Sequence, residues 1–337
     1  MNKIRTAVVG IGYWGSKFAR NIAVHPKFEL AAMVDTDILK VKERLDFVNS
    51  ESIFLSNSVT EVLQEVEIDF VHIAVPPQFH YQVAVEVINS SKHVLIEKPV
   101  GLSFSESVKI VNLAREKEVK LFVDHTYLFT PEFNEILKHY KNHEIGDLIF
   151  FNSTRINLGL IQLESSVVED LAVHDLAILD AIRPELPKFV VCTGIIVPPA
   201  KLISSAFATL TYSDGFIAQF MISWNSPVKV REIQLAGKSG IIIWDDMAGS
   251  DKVKIYNSKI SEDTTLEHKR ISYHIGEGRI LSIVAEEAIK RELDHISLVL
   301  ENPETFIVNG PEHILRVGRT LDALVQSVKL GGSRVEL

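Results

Sequence analysis

Three short clusters carry side chains that could do chemistry. The first is Glu97-Lys98-Pro99, placed at the end of the apolar run Val94-Leu95-Ile96. An ammonium there can hydrogen-bond an oxygen on which negative charge develops. Pro99 has no N–H and stops the strand. Because X–Pro bonds carry only a small trans preference, Lys98-Pro99 is a candidate cis bond. An ordinary strand end with a surface lysine would read the same way. The second cluster is Asp170 and His174, four residues apart in a stretch running to Asp180. That spacing predicts one shared helical face, with Leu171, Leu176 and Leu179 on another. An imidazole beside a carboxylate is a general acid/base arrangement; a plain surface pair is the alternative. No third ligand of suitable type stands at motif spacing, so no metal is expected. The third cluster is Gly10-Ile11-Gly12-Tyr13-Trp14-Gly15, followed by helical spacing of apolar residues. In this pattern Gly10 permits a tight turn, Gly12 a close backbone approach to a pyrophosphate, and Gly15 close helix–strand packing.

Elements must position these clusters. Ile4–Val9 reads as a buried strand ahead of the glycine loop, and the helix after it offers free N–H groups to phosphate. A second strand, Leu30–Val34, ends at Asp35, twenty residues beyond Gly15. A carboxylate there accepts bonds from ribose hydroxyls and repels a 2′-phosphate, which favours NAD over NADP. Asp69–Val75 is a third strand, closed by Pro76-Pro77 and followed by His80. That histidine could meet cofactor or substrate, or it could cap or pack. His72, inside the apolar strand, reads as a satisfied core histidine. Helical spacing over 41–48, 59–66 and 105–117, with strands Val94–Glu97 and Val119–Val123, completes a βα alternation. Residues 1–124 therefore read as a doubly wound parallel sheet.

Beyond residue 124 the pattern changes. A helix at 131–138 precedes alternating strands at 148–156, 189–196, 206–212, 216–224, 230–236 and 241–244. Ser213-Asp214-Gly215 signals a hairpin between two of them. Strands in succession imply an α+β domain with a broad, mainly antiparallel sheet over 125–310. The tail returns to helices at 284–300 and 312–329, and residues 311–337 are expected to pack back on the N-terminal domain. Trp224 and Trp244 read as core fillers or as part of an oligomer surface.

The bulk properties exclude several classes. The chain has 337 residues, 46% of them hydrophobic, enough for about two domains. Its net charge of -9 without a basic block argues against nucleic acid. Charged residues interrupt every apolar run before membrane-spanning length, and no secretory signal is visible. Cys192, the single cysteine, sits beside Val190 and Val191 and reads as a packed strand residue in a reducing, cytoplasmic compartment.

Taken together, Gly10–Gly15, Pro76-Pro77…His80, Glu97-Lys98-Pro99 and Asp170-x-x-x-His174, in this order, resemble the Gfo/Idh/MocA family of sugar dehydrogenases. The resemblance implies that Lys98, Asp170 and His174 surround a reacting carbinol. The expected cofactor-binding set is Gly10, Gly12, Tyr13, Trp14, Gly15, Asp35, Pro76, His80, Glu97 and Lys98. Expected substrate contacts are Tyr127, Arg155, Asn157 and Gln162, although Arg155 could instead only pair with a carboxylate. The family fold implies a homodimer or homotetramer through the antiparallel sheet. Ser165-Ser166 depart from the two glycines that many members carry before the D-x-x-x-H motif. Arg155–Gly159 and Val168–Asp175 look more like members acting on nucleotide sugars, some of which oxidise the 3-hydroxyl of a UDP-N-acetylamino sugar. A free-sugar or inositol dehydrogenase is a second expectation. A non-catalytic NAD-binding sensor or scaffold is a third.

Overall fold

The computed structural model describes residues 3–43, 52–159, 165–263 and 270–337. In chain order the strands and helices are β1 (Ile4–Val9), α1 (Tyr13–Val24), β2 (Phe28–Val34), α2 (Ile38–Glu43), β3 (Phe54–Ser56), α3 (Val59–Glu65), β4 (Phe70–Ile73), α4 (His80–Asn89), β5 (His93–Glu97), α5 (Phe104–Glu116) and β6 (Leu121–Asp124). They continue with α6 (Pro131–Lys141), β7 (Leu148–Leu158), α7 (Val173–Ile182), β8 (Phe189–Ile195), β9 (Ser205–Thr211), β10 (Ile217–Ser223), β11 (Asn225–Gly237), β12 (Gly240–Asp245), β13 (Val253–Asp263) and β14 (Arg270–Ile280). The chain closes with α8 (Ala288–Glu301), α9 (Pro311–Lys329) and β15 (Val335–Glu336).

Two units result. The first comprises Met1–Phe129 and Glu286–Gly318, the second Thr130–Ala285 and Arg319–Leu337. These bounds differ from the expected breaks at 124 and 310. The return to the first unit begins with α8, because that helix supplies Ile289, Leu293, Ile296 and Val299 to a core shared with Phe18, Phe28, Phe70 and Phe122. Periodicity predicts such a helix but does not name its partner.

The first unit holds a parallel six-stranded sheet in the order β3-β2-β1-β4-β5-β6. Its strands are near-continuous apolar runs because helices cover both faces. One face meets Val62, Val87, Ile88, Ile110 and Val111 of α3, α4 and α5, and the other meets α1 and α8. Strand order reverses between β1 and β4, which opens a crevice at the carboxyl ends of the strands, where ligands of such sheets bind. Helix starts follow local chemistry: the side chains of Ser58, Ser103 and Thr130 accept backbone N–H groups at the N-termini of α3, α5 and α6.

The second unit carries a nine-stranded sheet, β14-β13-β12-β11-β7-β10-β9-β8-β15. Its pairs are antiparallel except β7 with β10, so the sheet is mixed. The expected hairpin joins β9 and β10, with Thr211 opposite Ile217 and Gly215 at φ 91. A residue without Cβ fits that left-handed position. Trp224 and Trp244 are both buried, as core fillers. Cys192 is buried on β8, where burial pushes its thiol up to about 12. The strands β13, β14 and β15 were not anticipated; Lys254, Asn257, Ser258 and Ser261 dilute the apolar alternation of β13. Among the described residues, no helix is long and apolar enough to cross a membrane.

Candidate active site

The glycine loop has the geometry its residue types require. Gly10 has φ 89, and a Cβ there would meet the Ala74 carbonyl oxygen at 2.6 Å. At Gly15 a Cβ would meet the Gly10 oxygen at 1.8 Å, so nothing larger fits between α1 and the loop. A Cβ on Gly12 would meet nothing within 4 Å. The three glycines thus divide the work: Gly10 and Gly15 close the turn, while Gly12 fronts open space. Asp35, at the end of β2, ties the loop down. Its Oδ2 accepts the Ile11 N–H at 2.7 Å and its Oδ1 accepts the Asp37 N–H at 3.0 Å. Tyr13 and Trp14 begin α1 with exposed rings, and the Lys17 ammonium lies over both. Exposed aromatics on the helix that follows a glycine loop are available to a bound cofactor. The free N–H groups of that helix end suit a pyrophosphate.

At the end of β5, Glu97 is buried and the Lys98–Pro99 bond is cis, as the sequence suggested. Burial, and then the neighbouring Asp124, hold the Glu97 carboxyl well above the usual carboxylate range. Its side chain accepts the backbone N–H of Lys98. Glu97 therefore orients the strand end. His80 settles on packing among the sequence's alternatives. Its Nδ1 lies 2.7 Å from the Pro99 carbonyl oxygen and its Nε2 2.8 Å from that of Val75. Both ring nitrogens face main-chain oxygens, so the histidine clamps the Lys98-Pro99 turn to the segment after β4. Pro76 opens the short turn that leads into α4.

His72 is buried, as expected, but it is not satisfied. Neither ring nitrogen has a hydrogen-bond partner, and Nε2 stands 3.8 Å from Glu97 Oε1. Burial drives its pKa down to about 3, so the ring is neutral. Period-2 patterning places His72 inside the sheet but gives no view of the acids on neighbouring strands. Sequence reasoning also missed Asp124, His125, Glu292, Asn309 and His313. His125 Nδ1 lies 2.8 Å from His313 Nε2 in a buried pair, and burial followed by His313 holds His125 well below its ordinary range. Tyr127 sits half-buried on the short turn after β6.

In the second unit, Asp170 and His174 do not share one regular α-helix. Val168–Ala172 forms a π-helical turn, and α7 begins at Val173. Such widened turns inside helices recur at functional sites. Asp170 Oδ2 accepts the indole N–H of the buried Trp224 at 3.2 Å, which fixes the carboxylate. His174 is half-buried one turn later. Arg155 belongs to the core. It is buried and donates to both oxygens of Asp175, at 2.7 Å from Nη2 and 3.2 and 3.1 Å from Nε. Pairing with a carboxylate is what the structure shows, and an arginine so engaged is not presented as a cation for a diphosphate. Asp175, wholly buried next to His174, is the partner the sequence did not reveal. Asn157 is half-buried near Gly159, and Gln162 lies outside the described residues.

Comparison with known proteins agrees with this geometry. Residues 4–125 match a family model described as an oxidoreductase family with an NAD-binding Rossmann fold. An uncharacterised oxidoreductase, sll0816, of Synechocystis is 28% identical over 145 residues, 43% of this chain and 38% of its own length. The match thus spans well under two thirds of that relative. The scyllo-inositol 2-dehydrogenase (NADP(+)) IolU of Bacillus subtilis is 25% identical over 75% of this chain and 79% of its own. The UDP-N-acetylglucosamine 3-dehydrogenase of Acidithiobacillus ferrooxidans is 25% identical over 86% of this chain and 83% of its own. A solved structure of that dehydrogenase superposes with a TM-score of 0.81 at 20% identity, covering 98% of this chain and 99% of that one. Residues 4–125 are thus similar to the NAD-binding Rossmann domain of the Gfo/Idh/MocA oxidoreductase family.

Proposed function

We propose that the protein interconverts a secondary alcohol and a ketone on a sugar, with NAD as hydride acceptor. The best-supported substrate is the 3-hydroxyl of a UDP amino sugar. The observation that carries this reading is the occurrence in one chain of a glycine loop tied to Asp35, an acid-backed lysine at the end of β5, and Asp170 with His174 at a π-helical turn. His174 takes the hydroxyl proton as general base and Asp170 tunes it. Lys98 hydrogen-bonds the oxygen as charge develops, and hydride leaves the same carbon. Tyr127 and Asn157 are the proposed substrate contacts. The NAD assignment rests on Asp35. Similarity to a UDP-N-acetylglucosamine 3-dehydrogenase supports the nucleotide-sugar reading, and similarity to an inositol dehydrogenase supports the free-polyol alternative. A thermal-shift comparison separates the two: stabilisation by UDP alone favours the nucleotide sugar. Its absence, with stabilisation by free polyols, favours the other. A pure NAD sensor would bind NAD and reduce none of it with any sugar or polyol offered.

Asp35→Asn keeps an acceptor for the Ile11 N–H and removes the charge. The ratio of NADP to NAD dissociation constants is expected to fall about tenfold, equal to about 1.4 kcal/mol. Fluorescence titration of both cofactors measures it, and an unchanged ratio would remove Asp35 from the ribose site.

We also propose a cytoplasmic homodimer or homotetramer joined through the mixed sheet. Phe207 of β9 lies opposite Met221 of β10, and both are exposed, as are Ile217 of β10 and its β7 neighbour Phe150. Exposed apolar side chains on one sheet face support an interaction surface there. Phe207→Glu with Met221→Glu is expected to shift the protein to monomer in sedimentation analysis; a wild-type monomer would contradict the proposal.

A further inference from the structure

Three carboxyl groups and a neutral imidazole meet at the carboxyl ends of β4, β5 and β6, on the face covered by α8. Ligand atoms of His72, Glu97 and Asp124 lie within 4.8 Å of one another, and all three residues are buried. Asp124 is within hydrogen-bonding reach of Glu97 on one side and of Glu292 from α8 on the other. Asp124 Oδ1 also accepts the Thr126 hydroxyl at 2.8 Å, and Glu292 Oε1 accepts the Asn309 side-chain N–H at 3.0 Å. Asn309 in turn donates to the Val123 carbonyl at 2.7 Å. Glu97 Oε1 and Glu292 Oε2 have no partner.

Three ionised carboxylates in such a place would repel strongly, since like charges at contact distance do not all ionise in a dry site. Either a cation or protons must intervene. The surroundings of His72 do not suit a cation. A ligating histidine almost always donates its second ring N–H to an acceptor, and His72 has an acceptor at neither nitrogen. Protons fit better: hydrogen bonds between neighbouring carboxyls, with protons shared among them, relieve that repulsion.

We propose that Asp124 and Glu292 are positioning residues for Lys98. The Asp124 carboxylate accepts one proton-bearing hydrogen bond from Glu97 and another from Glu292, and this buried triad fixes the strand end at which Lys98 follows. Glu97 transmits the constraint, because its carboxyl accepts the Lys98 amide N–H. The titratable groups around the triad are His72 on β4, Lys98 after β5, His125 after β6, His80 on α4 and His313 on α9. Burial keeps His72, His80 and His125 below their ordinary range, so none of these three supplies a countercharge. The positioning claim rests on the catalytic reading of Lys98; the proton sharing does not.

The sign of the pH effect follows. Burial first, then Asp124, raises Glu97 and Glu292 in the folded state. Stability from the protonated triad is complete below the ordinary carboxylate range and is lost as pH rises through the raised values. The test uses the whole chain without substrate. Infrared spectra at neutral pH are expected to show a protonated carboxyl band that weakens in Glu292→Gln. The fall in Tm as pH rises above the ordinary carboxylate range is expected to be less steep in Glu292→Gln, which no longer releases that proton. After 13C-methylation of lysines, the Lys98 resonance, assigned by its loss in Lys98→Arg, is expected to change chemical shift in both Asp124→Asn and Glu292→Gln. Absence of the protonated band, parallel Tm curves, or a stoichiometric divalent cation by elemental analysis would overturn the triad. An unmoved Lys98 resonance in both variants would overturn the positioning role. None of these readouts requires turnover, so failure of the sugar-dehydrogenase reading would leave them standing.

Discussion

Replacing Lys98 by Ala is expected to lower turnover by about 10²–10³-fold, the usual cost of removing one donor to a developing oxyanion. NAD binding is expected to change little, because the proposed pyrophosphate and ribose contacts are Gly12, the start of α1, and Asp35. The split matters more than the size. A residue needed only to hold the strand end would lose stability and cofactor affinity together with rate. Lys98→Arg adds a control: it keeps the charge and changes the reach and shape of the donor. Full turnover by Lys98→Ala would remove the lysine from the mechanism. A matched loss of Tm and NAD affinity would reassign it to structure.

The glycine loop provides the second large effect. Gly15→Ala is expected to destabilise the first unit by several kcal/mol, because its Cβ would overlap the Gly10 oxygen at 1.8 Å and neither backbone segment can retreat. Gly12→Ala is expected to leave Tm nearly unchanged, since its Cβ meets nothing within 4 Å, yet to weaken NAD binding by obstructing the approach of the pyrophosphate. Thermal melts read the first variant and NAD titration the second. A stable Gly15→Ala protein, or a Gly12→Ala protein with unaltered NAD affinity, would contradict this division.

These effects concern features that are local in sequence, and local features were the legible ones. A glycine loop states its own turn chemistry in six residues, and an apolar run ending in Glu97-Lys98-Pro99 states its own strand end. The strands flanking the switch between β1 and β4 were readable as buried runs for the same reason. What stayed hidden was long-range pairing of polar groups. Arg155 meets Asp175, twenty residues away, and nothing in either segment says that the pair is buried. His80 is bound by carbonyls five and nineteen residues distant, which side-chain type alone does not reveal. Glu292 lies far along the chain from Glu97 and Asp124, on a helix whose apolar stripe identifies a buried face but not the sheet it covers. The i,i+4 spacing of Asp170 and His174 predicts an α-helix; the extra residue of a π-helical turn has no comparable sequence period. The second sheet was readable as alternating strands up to β12. Past that point, serine, asparagine and lysine interrupt the alternation.

One pattern joins the hidden groups. Glu97, Asp124, Glu292, His72 and the His125–His313 pair are all buried polar residues near the carboxyl ends of β4, β5 and β6. Burying so many titratable groups is unfavourable unless they bond one another or serve a function. They stand where a parallel sheet of this order receives its ligand, and next to the lysine to which the mechanism assigns the oxyanion. The cofactor loop and Asp35 occupy the ends of β1 and β2 in the same sheet.

The most direct test follows the hydrogen itself. The protein would be incubated with NAD and a UDP-N-acetylamino sugar deuterated at C3, and the nicotinamide product analysed by mass spectrometry. NADH carrying one deuterium, together with a 3-keto sugar, is the expected result. Unreduced NAD with this substrate and with every free sugar and polyol tried, by a protein that binds NAD, would contradict it.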